Sequence, residues 1–363
     1  MSGWAEPRPA APEAPAARLV RLYAAAAAAP HVFVCTHRNP DPDSISSALA
    51  LRFLLEHGAG VRATVAIEGV IGRAENRAMV SLLRLNLRPL ETLHGFDWAQ
   101  VALVDTQPRS GNNSFPRGVR PLIVIDHHPA LKTTDAGWAD LRPAYGATAT
   151  ILTEYLRDSG LAVPSWLATA LAYGISSETR DLGRGAGELD LEAYLHLYPR
   201  VRKRILARIE HPRLPRSYFA VLDRALHRAF SHRNVIGSRL GDVETPDSVA
   251  EIADFLLAHE RMGWSIVTGR HGGQLYVSVR ALRGRGAGTL LRELLGDRGT
   301  AGGHGRMAGG QVPLAGLTEF EIEALEEELP ARLLELLGFR GRAEFRPLIT
   351  RAGERDAAAA GLA

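Results

Sequence analysis

The chain holds one cysteine, Cys35, in 363 residues. That excludes an internal disulfide framework and fits a reducing compartment. Lysine is nearly absent: Lys132 and Lys203 stand alone among many arginines, and aromatic residues reach only 6%. Neither sign of charge dominates, with 43 Lys and Arg against 40 Asp and Glu and a net charge of +3. This balance admits an anionic substrate without identifying one. A composition so rich in Ala, Gly and Arg also fits a GC-rich genome, so the arginine count alone argues for nothing. No apolar run is long enough for a membrane span. The stretch 22–29 is short and follows Arg18 and Arg21, so neither a signal peptide nor an anchor is expected, and the cytoplasm is the default location.

What is present suits two domains. Hydrophobic residues make up 46%, enough for ordinary cores, and the length exceeds one typical domain. Residues 1–15, rich in Pro and Ala, are expected to be a disordered tail. From there short apolar runs alternate with helical patterns. Strands are expected over 31–35, 61–67, 101–104 and 122–125, and helices over 16–28, 46–57, 76–83, 147–159 and 166–173. Such alternation predicts an α/β fold with a parallel sheet buried on both faces. A catalytic domain over 16–188 is followed by an Arg-rich helical connector, 189–233. A smaller α/β domain, 234–350, is expected to hold a strand, a hairpin turning at 271–273, three helices (248–261, 288–295 and 319–337) and a Gly-rich loop. Residues 351–363 read as a second tail.

Three of the apolar runs end in metal-ligand chemistry. The first leads into His37, Asp41 and Asp43, the second into Asp105, and the third into Asp126-His127-His128. Open α/β sheets gather ligands beyond the carboxyl ends of their strands. Pro40 and Pro42 stiffen the first loop, and alternation along an extended segment lets Asp41 and Asp43 face one cleft. There are more donors than one ion can use, which points to two ions with Asp105 as the shared carboxylate. Such a pair clamps the attacking and leaving oxygens of a displacement at phosphorus. Mixed imidazole and carboxylate donors suit Mn²⁺ best, with Mg²⁺, Co²⁺ and Zn²⁺ as alternatives.

These motifs resemble the DHH phosphoesterase superfamily. The residues that carry the likeness are His37-x-Asn39-Pro40-Asp41-x-Asp43-x-x-Ser46, Asp105 and Asp126-His127-His128. Near the C-terminus, Gly302-Gly303-His304-Gly305-Arg306-Met307-Ala308-Gly309-Gly310 is similar to the GGHxxAAG signature of the DHHA domain, with Met in place of the first Ala. The resemblance spans roughly residues 30–350 and points to the branch of RecJ-like oligoribonucleases and nucleotide phosphatases. It implies one ion on His37, Asp41 and Asp105, and a second on Asp43, Asp105, His127 and an acid from a fourth motif. It further implies catalytic roles for Asp105, for Asp126 as the group that orients its neighbours, and for His128 at the substrate phosphate. The fourth motif departs from the family pattern: Gly174-Ile175-Ser176-Ser177-Glu178-Thr179 has Glu where Asp is usual. Motif register favours Glu178 as the ligand, and Asp181 is the alternative.

In the second domain the resemblance implies substrate contacts from Arg280, Gly303, His304, Arg306 and Gly309. The glycine run is poor helix or strand material and suits a loop whose amides close around an anion. Arg73, Asn76 and Arg77 are candidates to line the cleft, and the basic run Arg200 to Arg208 reads more simply as a solvated helix face. The expected activity is a two-metal, manganese-dependent phosphoesterase in which hydroxide held between the ions attacks phosphorus in line. The expected substrates are short single-stranded oligonucleotides, linear or cyclic dinucleotides, or 3′-phosphoadenosine 5′-phosphate. A homodimer is compatible with the sequence. The alternatives are a pyrophosphatase or polyphosphatase built on the same metal domain, and a non-catalytic nucleotide-binding sensor.

Overall fold

The computed structural model describes residues 15–131, 134–284 and 286–349, apart from the side chains of Pro15 and His304. Of the expected tails, 1–15 and 351–363, residues 1–14 and 351–363 therefore lie outside the described residues. The chain forms two compact units, Met1–Pro212 and Arg213–Ala363. The first contains α1 (Pro15–Ala26), β1 (Val32–Cys35), α2 (Pro42–Leu54), β2 (Ala63–Ile67), α3 (Ala74–Leu83), β3 (Arg88–Pro89), β4 (Val101–Val104), β5 (Ile123–Asp126), β6 (Trp138–Leu141), α4 (Thr148–Ser159), α5 (Ser165–Thr179), α6 (Glu188–Leu197) and α7 (Lys203–Glu210). Helices α6 and α7, expected within the connector, are thus part of this unit.

Its sheet is parallel throughout, in the order β3-β2-β1-β4-β5-β6. β1, β4 and β5 are buried at every position, as continuous apolar runs in a parallel sheet should be. One face packs against the helices through Val32, Val34, Val65, Ala102, Val104, Ile123 and Ile125. The other face carries no α-helix among the described residues, only two short 3-10 turns, Leu90–Thr92 and Trp98–Gln100. Phe33, Cys35, Leu103 and Val124 are covered there by Leu90, Leu93, Phe96, Trp98 and Phe115. Edge-on ring contacts, 4.7 Å for Phe96–Trp98 and 5.5 Å for Trp98–Phe115, knit that lid together. Strand order reverses between β1 and β4, and ligands in such sheets bind at that switch point.

The second unit runs α8 (Arg216–His227), β7 (Ala229–His232), β8 (Val235–Asp242), α9 (Asp247–Leu257), β9 (Trp264–His271), β10 (Gln274–Ala281), α10 (Ala287–Leu295), β11 (Thr300–His304), β12 (Met307–Pro313), α11 (Glu319–Leu336) and β13 (Arg346–Pro347). Its seven-stranded sheet has the order β11-β12-β10-β9-β8-β7-β13. The glycine run expected to be a loop is instead the antiparallel hairpin β11–β12, with Gly302 opposite Gly309 and His304 opposite Met307. Close backbone approach explains the glycines. A Cβ on Gly303 would meet the Met307 carbonyl at 2.3 Å, and a Cβ on Gly288 would meet the Gly303 carbonyl at 2.3 Å. Glycine inside a strand commonly marks such contact. Among the described residues no helix is long and apolar enough to cross a membrane.

Candidate metal centre

The carboxyl ends of β1, β4 and β5 deliver the donors to one edge of the first unit's sheet. Past β1 the chain enters α2, whose N-cap is Asp41: its Oδ1 accepts the Ser44 N–H at 2.9 Å. Asp43 lies inside the first turn and caps a different helix. Its Oδ2 accepts the Thr148 N–H at 2.8 Å and its Oδ1 the Ala149 N–H at 2.7 Å, at the start of α4. Two helix N-termini therefore converge on the same acids. Asp105, one residue beyond β4, has φ +59°, a left-handed conformation sparsely used outside glycine and characteristic of functional sites.

The donors form two groups that share one residue. His37, Asp41 and Asp105 present ligand atoms within 4.8 Å of one another, and so do Asp105, His127 and His128. His37 Nε2 lies 3.7 Å from both Asp41 Oδ2 and Asp105 Oδ2, and His127 Nε2 lies 3.6 Å from Asp105 Oδ1. His37 Nδ1 is engaged with the Arg38 carbonyl at 2.9 Å and His127 Nδ1 with the Tyr145 carbonyl at 3.2 Å. Each ring thus offers its other nitrogen to an ion, the usual way a metal-bound histidine is oriented. His128, expected at the phosphate, completes the second group. Asp43 and Glu178, expected there, belong to neither group.

The electrostatics call for cations. Burial, reinforced by the charges of Asp105 and Asp41, pushes the Asp43 carboxyl well above its ordinary range. Burial and the neighbouring Asp41 and Asp126 do the same to Asp105. Burial and Asp41 raise Glu178 to about 7, against the opposing charge of Arg184. Burial would depress His37, yet the Asp41 carboxylate beside it lifts it to about 9. Burial and His128 lower His127 to about 4. Against burial, His128 and Asp126 stabilise each other's charges, raising the imidazole and lowering the carboxyl. Closely spaced buried carboxylates that raise one another's pKa need positive charge nearby. A mixed nitrogen and oxygen donor set of this kind fits divalent Mn²⁺.

The rest of the fourth motif is structural. A Cβ on Gly174 would sit 2.3 Å from Ser46 Oγ and 3.0 Å from the Pro42 carbonyl. Glycine therefore lets α5 pack against the first turn of α2. One turn later α5 carries Glu178, which is felt electrically by Asp43, Asp105 and His128. Asp181 is exposed, and its charge reaches Tyr194 and Glu210 instead.

Two contributors carried no usable sequence signal. Thr148 donates its hydroxyl to Asp105 Oδ1 at 2.8 Å and accepts the His127 N–H at 3.3 Å. A threonine at a helix start is too common to single out. Gln107, buried beside Asp126, bonds it at 2.8 Å.

In the second unit Arg280 is buried and occupied. Its Nε donates to Asp254 at 2.9 Å, and its Nη1 donates to the carbonyls of Val279 and Ala308 at 3.1 Å. These contacts pin β12 to its neighbours. Gly309 is open, with no atom within 4 Å of a Cβ placed there, and Arg306 is exposed at the hairpin turn. The His304 side chain lies outside the described residues.

Residues 31–175 match the DHH family, N-terminal domain, and residues 232–331 match the DHHA1 domain. An uncharacterized protein of Methanocaldococcus jannaschii is 34% identical over 316 residues, covering 85% of this chain and 64% of the relative. A probable manganese-dependent inorganic pyrophosphatase of Bacillus mycoides is 31% identical over 150 residues, 41% of this chain and 48% of that protein. The chain thus spans less than two thirds of either relative. An exopolyphosphatase-related protein from Bacteroides fragilis has the same fold, with a TM-score of 0.70 at 14% identity over 88% of this chain and 97% of its own.

Proposed function

This chain belongs to the DHH superfamily and carries a DHHA1 domain, and from that premise we propose that it is a manganese-dependent hydrolase of phosphate esters in short oligonucleotides or nucleotides. The observation that carries the reading is Asp105, one buried carboxylate common to two groups of donors. When bound, two ions supply Lewis-acid polarisation of a phosphoryl group and a nucleophile usable at neutral pH. His37, Asp41 and Asp105 would hold one ion. Asp105 and His127 would hold the other, with Asp43 and Glu178 neutralising it. His128, paired with Asp126, donates to a phosphate oxygen, and the hairpin with Gly303, His304, Arg306 and Gly309 grips the phosphate end of the substrate.

Two features favour oligonucleotides over pyrophosphate. The match to the Bacillus pyrophosphatase covers only 150 residues, too few for both units, and the DHHA1 region supplies a separate binding module. In addition, Arg77, Arg204 and Arg208 are exposed and make no ion pair among the described residues, on the packed helices α3 and α7. Exposed, unpaired guanidinium groups on two packed helices suit a phosphate backbone. The test is a panel in Mn²⁺ of a 5′-phosphorylated dinucleotide, longer RNA and DNA oligomers, 3′-phosphoadenosine 5′-phosphate and pyrophosphate, with products resolved by size. Turnover of pyrophosphate alone selects the pyrophosphatase reading. Tight nucleotide binding with no turnover of any compound selects a sensor.

A further inference from the structure

Gln107 follows Asp105 by two residues and is 2% exposed. Its carboxamide is fully engaged. Nε2 donates to Asp126 Oδ2 at 2.8 Å and to the Pro129 carbonyl at 3.1 Å, with the His128 carbonyl at 3.5 Å. Oε1 accepts the Leu131 N–H at 2.9 Å and the Thr134 hydroxyl at 2.6 Å. A single side chain leaving β4 thereby fixes both the end of β5 and the segment that follows it. With Oδ2 held by Gln107, Asp126 turns Oδ1 to His128, accepting its backbone N–H at 3.1 Å and meeting ring Nδ1 at 2.8 Å. An ionised carboxylate can only accept. Nδ1 is therefore the donor.

We propose that Gln107 is a positioning residue that sets the tautomer and orientation of His128 through Asp126. It commits Nδ1–H to Asp126, so that the protonated ring presents Nε2–H to the substrate phosphate. Its amide is specific to the task. Glutamate has the same shape but replaces the Nε2 donor with an acceptor oxygen facing the Asp126 carboxylate and the Pro129 carbonyl. Leucine fills the space without donors or acceptors. Either change frees Asp126 to rotate away from His128.

The direct test needs no turnover. The full chain is labelled with ¹⁵N-histidine, with diamagnetic Mg²⁺ in place of Mn²⁺, at a pH where the His128 ring is neutral. Long-range ¹H–¹⁵N spectra then report which nitrogen is protonated, and His128→Ala assigns the signal. Wild type should show one tautomer, with the proton on Nδ1, and Gln107→Leu should show a mixture. If Gln107→Leu does not fold, Gln107→Glu, which keeps the volume, gives the same reading. An unchanged tautomer in a folded variant overturns the proposal.

A second arm rests on the hydrolase reading and uses the 5′-phosphorylated dinucleotide in Mn²⁺. Gln107→Glu should lower kcat about 10–100-fold with KM and Mn²⁺ content little changed. In a His128→Ala background the same change should cost nothing further, because residues acting as a unit are not additive. Full additivity overturns the positioning role. Absence of wild-type turnover refutes the hydrolase reading on that substrate, and the tautomer spectra then decide the role of Gln107 by themselves.

Discussion

Asp105→Asn separates what this carboxylate does for the metals from what it does for the fold. Without metal, burial and the charges of Asp41 and Asp126 hold the Asp105 carboxyl well above its ordinary value of 3.8. Such a group binds its proton more tightly folded than unfolded. Its contribution to stability is complete below the unfolded value and is lost as pH rises through the raised folded value. Asparagine removes the charge and with it that loss. It tolerates φ +59° as readily as aspartate, and its Oδ1 still accepts the Thr148 hydroxyl. Metal-free Asp105→Asn should therefore melt at or above metal-free wild type at neutral pH, with a margin that widens as pH rises. Mn²⁺ reverses the order. At a hundredfold excess over Kd an ion adds about 2.7 kcal/mol. For a unit the size of residues 1–212, that is about 5–11 °C in Tm, at about 2–4 °C per kcal/mol. Wild type should gain this increment and the variant should lose most of it. Thermal melts with chelator or Mn²⁺ across a pH series, with metal content measured alongside, give both numbers. A metal-free variant melting well below wild type, or one that keeps the Mn²⁺ increment, would refute the reasoning.

Glu178→Gln should weaken Mn²⁺ binding and cut activity at least about 10–100-fold, with Glu178→Asp recovering part of the loss. Asp181→Asn should be nearly silent, and the reverse pattern in Mn²⁺ titrations would put the ligand at Asp181. Gly174→Ala forces a Cβ against Ser46 Oγ and the Pro42 carbonyl and should cost about 1–3 kcal/mol in denaturant melts, as overpacking does, while lowering Mn²⁺ affinity. Ser46→Ala removes the nearest obstacle and should restore part of both. His304→Ala should raise KM for a dinucleotide without changing Mn²⁺ stoichiometry, and loss of metal from that variant would make His304 a ligand.

The centre was legible in the sequence because each donor follows a short run that is buried on both faces. Val32–Cys35, Val101–Val104 and Ile123–Asp126 are apolar enough to be read as interior strands, and the ligands stand at their ends. The fold was less legible where pattern fails. β6 reads Trp-Ala-Asp-Leu, half exposed and polar at Asp140, and β13 is two residues long. The glycine hairpin defeats propensity because backbone contact rather than side-chain packing holds it. Arg280 shows a different limit. Sequence marks a guanidinium at a strand end but not the Asp254 that occupies it. The side chains of Gln107 and Thr148 matter only through partners between 19 and 43 residues away, which no local window reveals.

The reversal of strand order between β1 and β4 bears on how the protein reaches its native state. His37 and Asp41 arrive from one half of the sheet, and Asp105, His127 and His128 from the other, so the group of His37, Asp41 and Asp105 is complete only once the halves have joined. β1 and β4 pair across a long stretch of intervening chain, the kind of non-local contact that forms slowly. Interactions absent from the rate-limiting state change the rate of unfolding rather than folding. An ion captured after that pairing should act as a latch: dilution from denaturant into Mn²⁺ should leave the refolding rate nearly unchanged, while escape from the native state slows with metal concentration.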